Sequence, residues 1–153
     1  MGTRNLTKVI NKDGVTVVAQ YGQWDGYPSG QGLTALYHAH NAKMIEDNLY
    51  RVRFLTDVEC DEINASVDPS VDFVKQYPTL SRDVCADILG YVAYATDTVG
   101  LVDSNEFEND ELFCEGIYTL DFQKRKFIST FGKTVEFDLD NLPSKQEYLG
   151  AWE

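Results

Sequence analysis

Residues 20–32 read Gln-Tyr-Gly-Gln-Trp-Asp-Gly-Tyr-Pro-Ser-Gly-Gln-Gly. Tyr21, Trp24 and Tyr27 offer flat apolar faces with polar tips, the chemistry of a pocket wall. Four glycines in this stretch let the backbone turn sharply and let another group come close. Asp25 has several readings. It can bind a ligand amine or hydroxyl, act as a base if apolar walls raise its pKa, or accept loop amides in an Asx-turn. Gln23, Ser29 and Gln31 add hydrogen-bonding groups. Gly30-Gln31-Gly32 leads into a helix, whose first amides suit an anion, although no lysine follows and the spacing matches no phosphate-loop motif. Arg4 and Arg82 can give guanidinium forks to a phosphate or carboxylate, or each can pair with one of the many carboxylates of the chain. The expected ligand site is therefore Arg4, Tyr21, Gln23, Trp24, Asp25, Tyr27, Ser29, Gln31 and Arg82, on a loop expected to line the main concave surface.

Other residues are weighed as nucleophiles and ligands. Cys114 needs a nearby base, and His38 and His40 are the only histidines; the alternative is a core cysteine. Asp103, Glu106, Glu108, Asp110 and Glu111 carry oxygens that suit a hard cation, but the spacing is not that of an EF-hand, and a solvated acidic loop is the plainer reading. No metal and no cofactor are expected. Cys60, Cys85 and Cys114 are odd in number and widely spaced, which argues against a disulfide framework and for a reducing compartment. The stretch Met1–Asn5 carries no apolar leader, so a cytoplasmic location is expected, without a membrane partner.

Net charge is −12, and it is uneven. Residues 54–123 hold sixteen acids against Lys75 and Arg82, and no Lys or Arg occurs between Arg82 and Lys124. That disfavours nucleic-acid binding, which needs basic groups on phosphates. It leaves open an acidic inhibitor that docks on a basic protein.

The elements that must hold these residues follow from pattern. Leu6–Ile10 and Val15–Tyr21 flank Asp13-Gly14, a hairpin signal. Leu33, Leu36, Tyr37 and His40 predict a helix, and Met44, Ile45, Leu49 and Val52 a second one, continuous with the first or broken at His38 to Asn41. Residues 57–72 read as an acidic connection with one helical turn. Ser81 reads as an N-cap for a helix with Val84, Ile88, Leu89 and Val92 on its apolar stripe. Residues 100–102 read as a short strand, residues 112–121 and 126–131 as a second hairpin, and 133–139 as another strand. The fold class is α+β, an antiparallel sheet of four or five strands with helices on one face. Residues 1–142 form one domain, and 143–153 a short tail. The apolar hairpins also predict a homo-oligomer, most simply a dimer.

Met1-Gly-Thr-Arg4, the 19–32 loop, Tyr77-Pro-Thr-Leu-Ser-Arg-Asp83 and the Val102–Glu115 stretch resemble a family of small phage, bacterial and fungal proteins without a settled activity. The resemblance spans roughly residues 1–131. It departs at Gly116, where the family often has an aromatic residue. It implies that the loop is a site. Its phage association implies a counter-defence role, the capture of a host signalling molecule. The residues themselves point first to a binding protein for a small polar or nucleotide-like ligand. An alternative is a small hydrolase acting through Asp25 or Cys114. The order of hairpin and helices is also similar to N-terminal-nucleophile hydrolases, though Thr3 stands one position too late to be the exposed first residue.

Overall fold

The structure, a computed structural model, describes residues 2–66, 77–110 and 112–153. Strand β1 (Asn5–Ile10) turns into β2 (Thr16–Gly22) as an antiparallel hairpin. Asn11 and Gly14 make that turn. The Asn11 side chain accepts the amides of Asp13 and Val15, and Gly14 takes φ +82°, a conformation that suits glycine. A wide turn at Pro28–Gly32 leads into α1 (Leu33–Ala39), and α2 (Ala42–Asn48) follows. The two helices are separate, broken at His40 and Asn41. Short β3 (Val52–Phe54), helix α3 (Asp57–Ser66), helix α4 (Ile88–Ala93) and short β4 (Val99–Leu101) complete the middle of the chain. Strands β5 (Gly116–Asp121), β6 (Lys126–Phe131) and β7 (Lys133–Asp138) form a meander, and α5 (Lys145–Gly150) closes the chain.

The architecture is α+β. The main sheet has five strands in the order β2-β1-β5-β6-β7, and β3 pairs with β4 in a separate parallel ribbon. One feature departs from the sequence reading: β1 and β5 run parallel at the centre of the main sheet, so the two hairpins are joined edge to edge rather than antiparallel throughout. Val9, Val18, Leu120 and Phe127 point from this sheet into a core with Leu36, Ile45, Ile88, Leu89 and Val92 from the helices. The opposite face is covered over β1 and β2 by the chain itself. Phe107 packs edge-on to Tyr21 at 5.0 Å, Lys8 pairs with Glu108 at 2.9 Å, and Leu6 and Ala19 are fully buried.

Three local expectations are corrected. Ser81 does not cap a helix. Its hydroxyl accepts the Asp83 amide at 3.1 Å within a turn, and regular α-helix begins only at Ile88, after a tight turn at Cys85–Asp87. Residues 112–115 are not strand, because Asp110 draws the amides of Phe113 and Cys114 into a turn. The acidic stretch after Asp57 holds a ten-residue helix rather than one turn, and residues 67–72 of that reading lie outside the described residues. Within the 143–153 tail, Tyr148 of α5 is fully buried and bonds Ser129 at 3.0 Å.

Candidate functional site

The hairpin register fixes where the glycine-rich loop leaves the sheet. Asn5 pairs with Gly22 on one side and with Gly116 on the other, so residues 2–4, 23–26 and 113–115 emerge together at one end of the sheet. Asn5 Nδ2 donates to the carbonyl of Trp24 at 3.0 Å, and the Gly26 amide donates to Thr3 at 2.9 Å. The amides of Glu115 and Gly116 both reach the Arg4 carbonyl, and the Gln23 amide reaches the Arg82 carbonyl at 2.9 Å. Beneath them the Tyr118 hydroxyl donates to the Gly26 carbonyl at 2.5 Å. Burial holds the Tyr118 phenol far above its ordinary pKa, so it stays a donor.

The glycines serve this knitting. A Cβ on Gly22 would lie 2.5 Å from Cys85 Sγ and 2.6 Å from Asn5 Oδ1, and one on Gly32 would lie 2.5 Å from the Tyr148 hydroxyl. Gln31 is also spent on the fold, accepting the Ala86 amide at 3.0 Å. Tyr21 bonds Gln23 and packs under Phe107, away from any ligand face. The anion cradle expected at Gly30-Gln31-Gly32 is absent. The amides of Gly30 and Gly32 donate to Tyr27, and that of Gln31 donates to Asp25, so none is free. Asp25 itself sits at φ +57°. It works through its carbonyl, since its exposed carboxylate accepts no hydrogen bond among the described residues, which removes the Asx-turn reading.

What the loop presents outward is a smaller set. Trp24 is 40% exposed and Tyr27 50%. Trp24 Nε1 donates to Asp83 Oδ1 at 2.5 Å, and the Arg82 guanidinium lies 5.9 Å from the indole ring. Arg4 lies 5.0 Å over Phe113, itself 43% exposed. Neither arginine has a carboxylate within ion-pair distance among the described residues. By contrast, Arg53 pairs with Glu59, and Arg125 reaches both Glu46 and Asp140. Tyr27 packs on Phe131 at 5.5 Å, beside a cavity of about 510 Å³ lined by Pro28, Phe131, Lys133 and Trp152. The loop takes no part in a cavity of about 910 Å³ that lies between α4 and the β3–β4 ribbon.

The structure therefore gathers Arg4, Trp24, Asp25, Tyr27, Ser29 and Arg82 as exposed or half-buried groups on or beside the loop, and assigns Tyr21, Gln23 and Gln31 to its scaffold. Phe113 and Asp83 were missed as site residues. An apolar Leu112-Phe113 pair inside an acidic run is the signal that marks the first.

The nucleophile readings weaken. Burial, then Glu108, Asp110 and Glu115, push the Cys114 thiol up to about 11. Among the described residues its one hydrogen-bond partner is the Gly116 carbonyl, and His38 is engaged with Asp87 at 2.9 Å. Cys85 is buried, at φ +47°, with its thiol also raised by burial. The acids near residue 105 close turns or pair: Asp103 accepts the Asn105 amide and Glu108 holds Lys8. Among the described residues no cluster of His, Cys, Asp or Glu could hold a metal ion, and no helix is long and apolar enough to cross a membrane.

Comparison with known proteins finds no matching family model, curated protein or solved structure, so the functional reading rests on this geometry.

Proposed function

We propose that the protein binds a small anionic, nucleotide-like ligand at the outer face of the aromatic loop and does not turn it over. One observation carries this reading. In a chain of net charge −12, Arg4 and Arg82 have no carboxylate partner among the described residues, each resting on an exposed aromatic ring beside the loop. A guanidinium held on an aromatic face keeps its fork of donors free for a phosphate, and a half-exposed indole offers a plane for a base. Asp83 fixes the indole through its N–H. The hydrolase alternative loses support because Cys114 is held as a thiol and is bonded to no histidine.

The test is titration with AMP and with adenosine, read by Trp24 fluorescence and calorimetry. AMP is expected to bind and quench, with adenosine much weaker for want of a phosphate. Absence of binding by AMP, or equal binding by adenosine, overturns the anionic-ligand reading in favour of a protein-docking acidic surface.

A further inference from the structure

The cavity of about 910 Å³ shares no lining residue with the aromatic loop and has its own chemistry. Its floor is apolar, with Leu55, Ile88, Val99 and Leu101. Its rim is aromatic. Tyr91 and Tyr94 both belong to or end α4, and they stand 43% and 67% exposed with no ring partner among the described residues. Side chains this large and this bare along an apolar cleft leave unburied surface for a bound molecule to cover.

Among the described residues that line it, the charges are one-sided. Arg53, the one guanidinium on the wall among the described residues, is consumed: it donates two parallel bonds to Glu59, at 2.9 and 2.6 Å. Two more carboxylates line the same cavity without a Lys or Arg partner among the described residues. Asp87 meets His38 Nε2 at 2.9 Å, and Asp97 accepts the Thr98 amide at 2.7 Å. Asp87 and Tyr91 are four residues apart at the start of α4, which puts them on one helical face. Phenol rings with carboxylates, and no spare cation among the described residues, select for positive charge, through the ring faces and through direct ion pairing.

We propose that this cavity binds a small organic cation, an alkyl- or arylalkylammonium, its body on the apolar floor and its ammonium between Asp87 and the tyrosine rim. The site is independent of the anion-binding reading of the loop.

The test uses 2-phenylethylammonium and, as its counterpart of opposite charge, 3-phenylpropanoate, each titrated into the full chain and followed by saturation-transfer NMR and calorimetry. The ammonium is expected to bind and the carboxylate not. Asp87→Asn and Tyr91→Leu are each expected to weaken the ammonium by about 3- to 10-fold. Arg82→Ala is expected to leave it unchanged, which keeps this result separate from the loop. Binding of neither probe, equal binding of both, or wild-type affinity in Asp87→Asn and Tyr91→Leu overturns the proposal. Should Asp87→Asn fail to fold through its contact with His38, Tyr94→Leu, on a more exposed ring, carries the same decision.

Discussion

If the loop binds an anion as proposed, Arg4 and Arg82 contribute more to the ligand than to the fold, and the two contributions differ enough to be separated. Each makes a cation–π contact at the surface, worth about 0.5–1 kcal/mol. A charge-assisted bond to a phosphate is worth roughly 1.5–3 kcal/mol, or about 10- to 100-fold in affinity. Arg4→Ala and Arg82→Ala are therefore expected to lower AMP affinity by that factor while the melting temperature moves little. Early melting with normal AMP binding would make the arginines structural. The loop glycines show the opposite balance. Gly22 sits against Cys85 Sγ and Asn5 Oδ1, so Gly22→Ala drives a methyl into a closed site at a cost of about 1–3 kcal/mol. Urea unfolding reads that directly, and an unchanged midpoint would mean that the loop is looser than its contacts. The composition of this loop made it visible in the sequence, but not the work of its glycines. They admit Cys85, Asn5, Tyr118 and Tyr148, residues distant in sequence, and spacing within the loop carries no record of those partners.

At the level of elements, what could be read in advance is what local pattern determines. The first hairpin follows from its turn residues and flanking β-branched runs, and the β5–β6 hairpin from a short polar turn closed by Asp121, which accepts the amides of Gln123 and Lys124. The parallel pairing of β1 with β5 was not legible. It joins segments about a hundred residues apart, and no local signal encodes such a pairing. Helix α4 was found but started too early, because Gln23 and Trp24 claim the Arg82 carbonyl and the Asp83 carboxylate that a capped helix would otherwise use. The last helix shows how small signals decide an element. Ser144 and Glu147 form a reciprocal capping box, and that cap sets Tyr148 into the core against Phe127 and Phe137. Ser144→Ala is expected to cost about 1 kcal/mol. Because the helix closes over the core, the loss should appear in the global transition. A change confined to local fraying, seen by hydrogen exchange of α5 alone, would show that α5 is an appendage.

Across the whole molecule, several buried acids share one direction of shift, and this sets an alkaline limit on stability. Burial raises the thiols of Cys85 and Cys114, the latter to about 11, from an ordinary 9.0. It raises the phenol of Tyr148 to about 12 from 10.0, and that of Tyr118 further still. A raised value means that the folded state holds the proton more tightly than the unfolded chain. The stabilisation is complete below the unfolded values of 9.0 and 10.0, and it is lost as pH rises through the folded ones. The urea midpoint is therefore expected to hold between pH 7 and the thiol range, then fall continuously as pH climbs above it. Glu59 acts in the other direction: Arg53 holds it down to about 2, so its contribution fades only as pH falls from 4.5 towards that value, and its exposure keeps it small. Self-repulsion in a chain of net charge −12 also grows with pH and imitates the alkaline loss. Salt separates the two causes. At about 1 M the screening length drops to roughly 3 Å, which removes surface repulsion but leaves the cost of ionising a buried phenol. The alkaline decline should persist in high salt and should flatten in Tyr148→Phe, which has no proton to lose and at pH 7 gives up the hydroxyl's bond to Ser129. A decline abolished by salt, and identical in Tyr148→Phe, would assign the alkaline limit to net charge rather than to the buried ring.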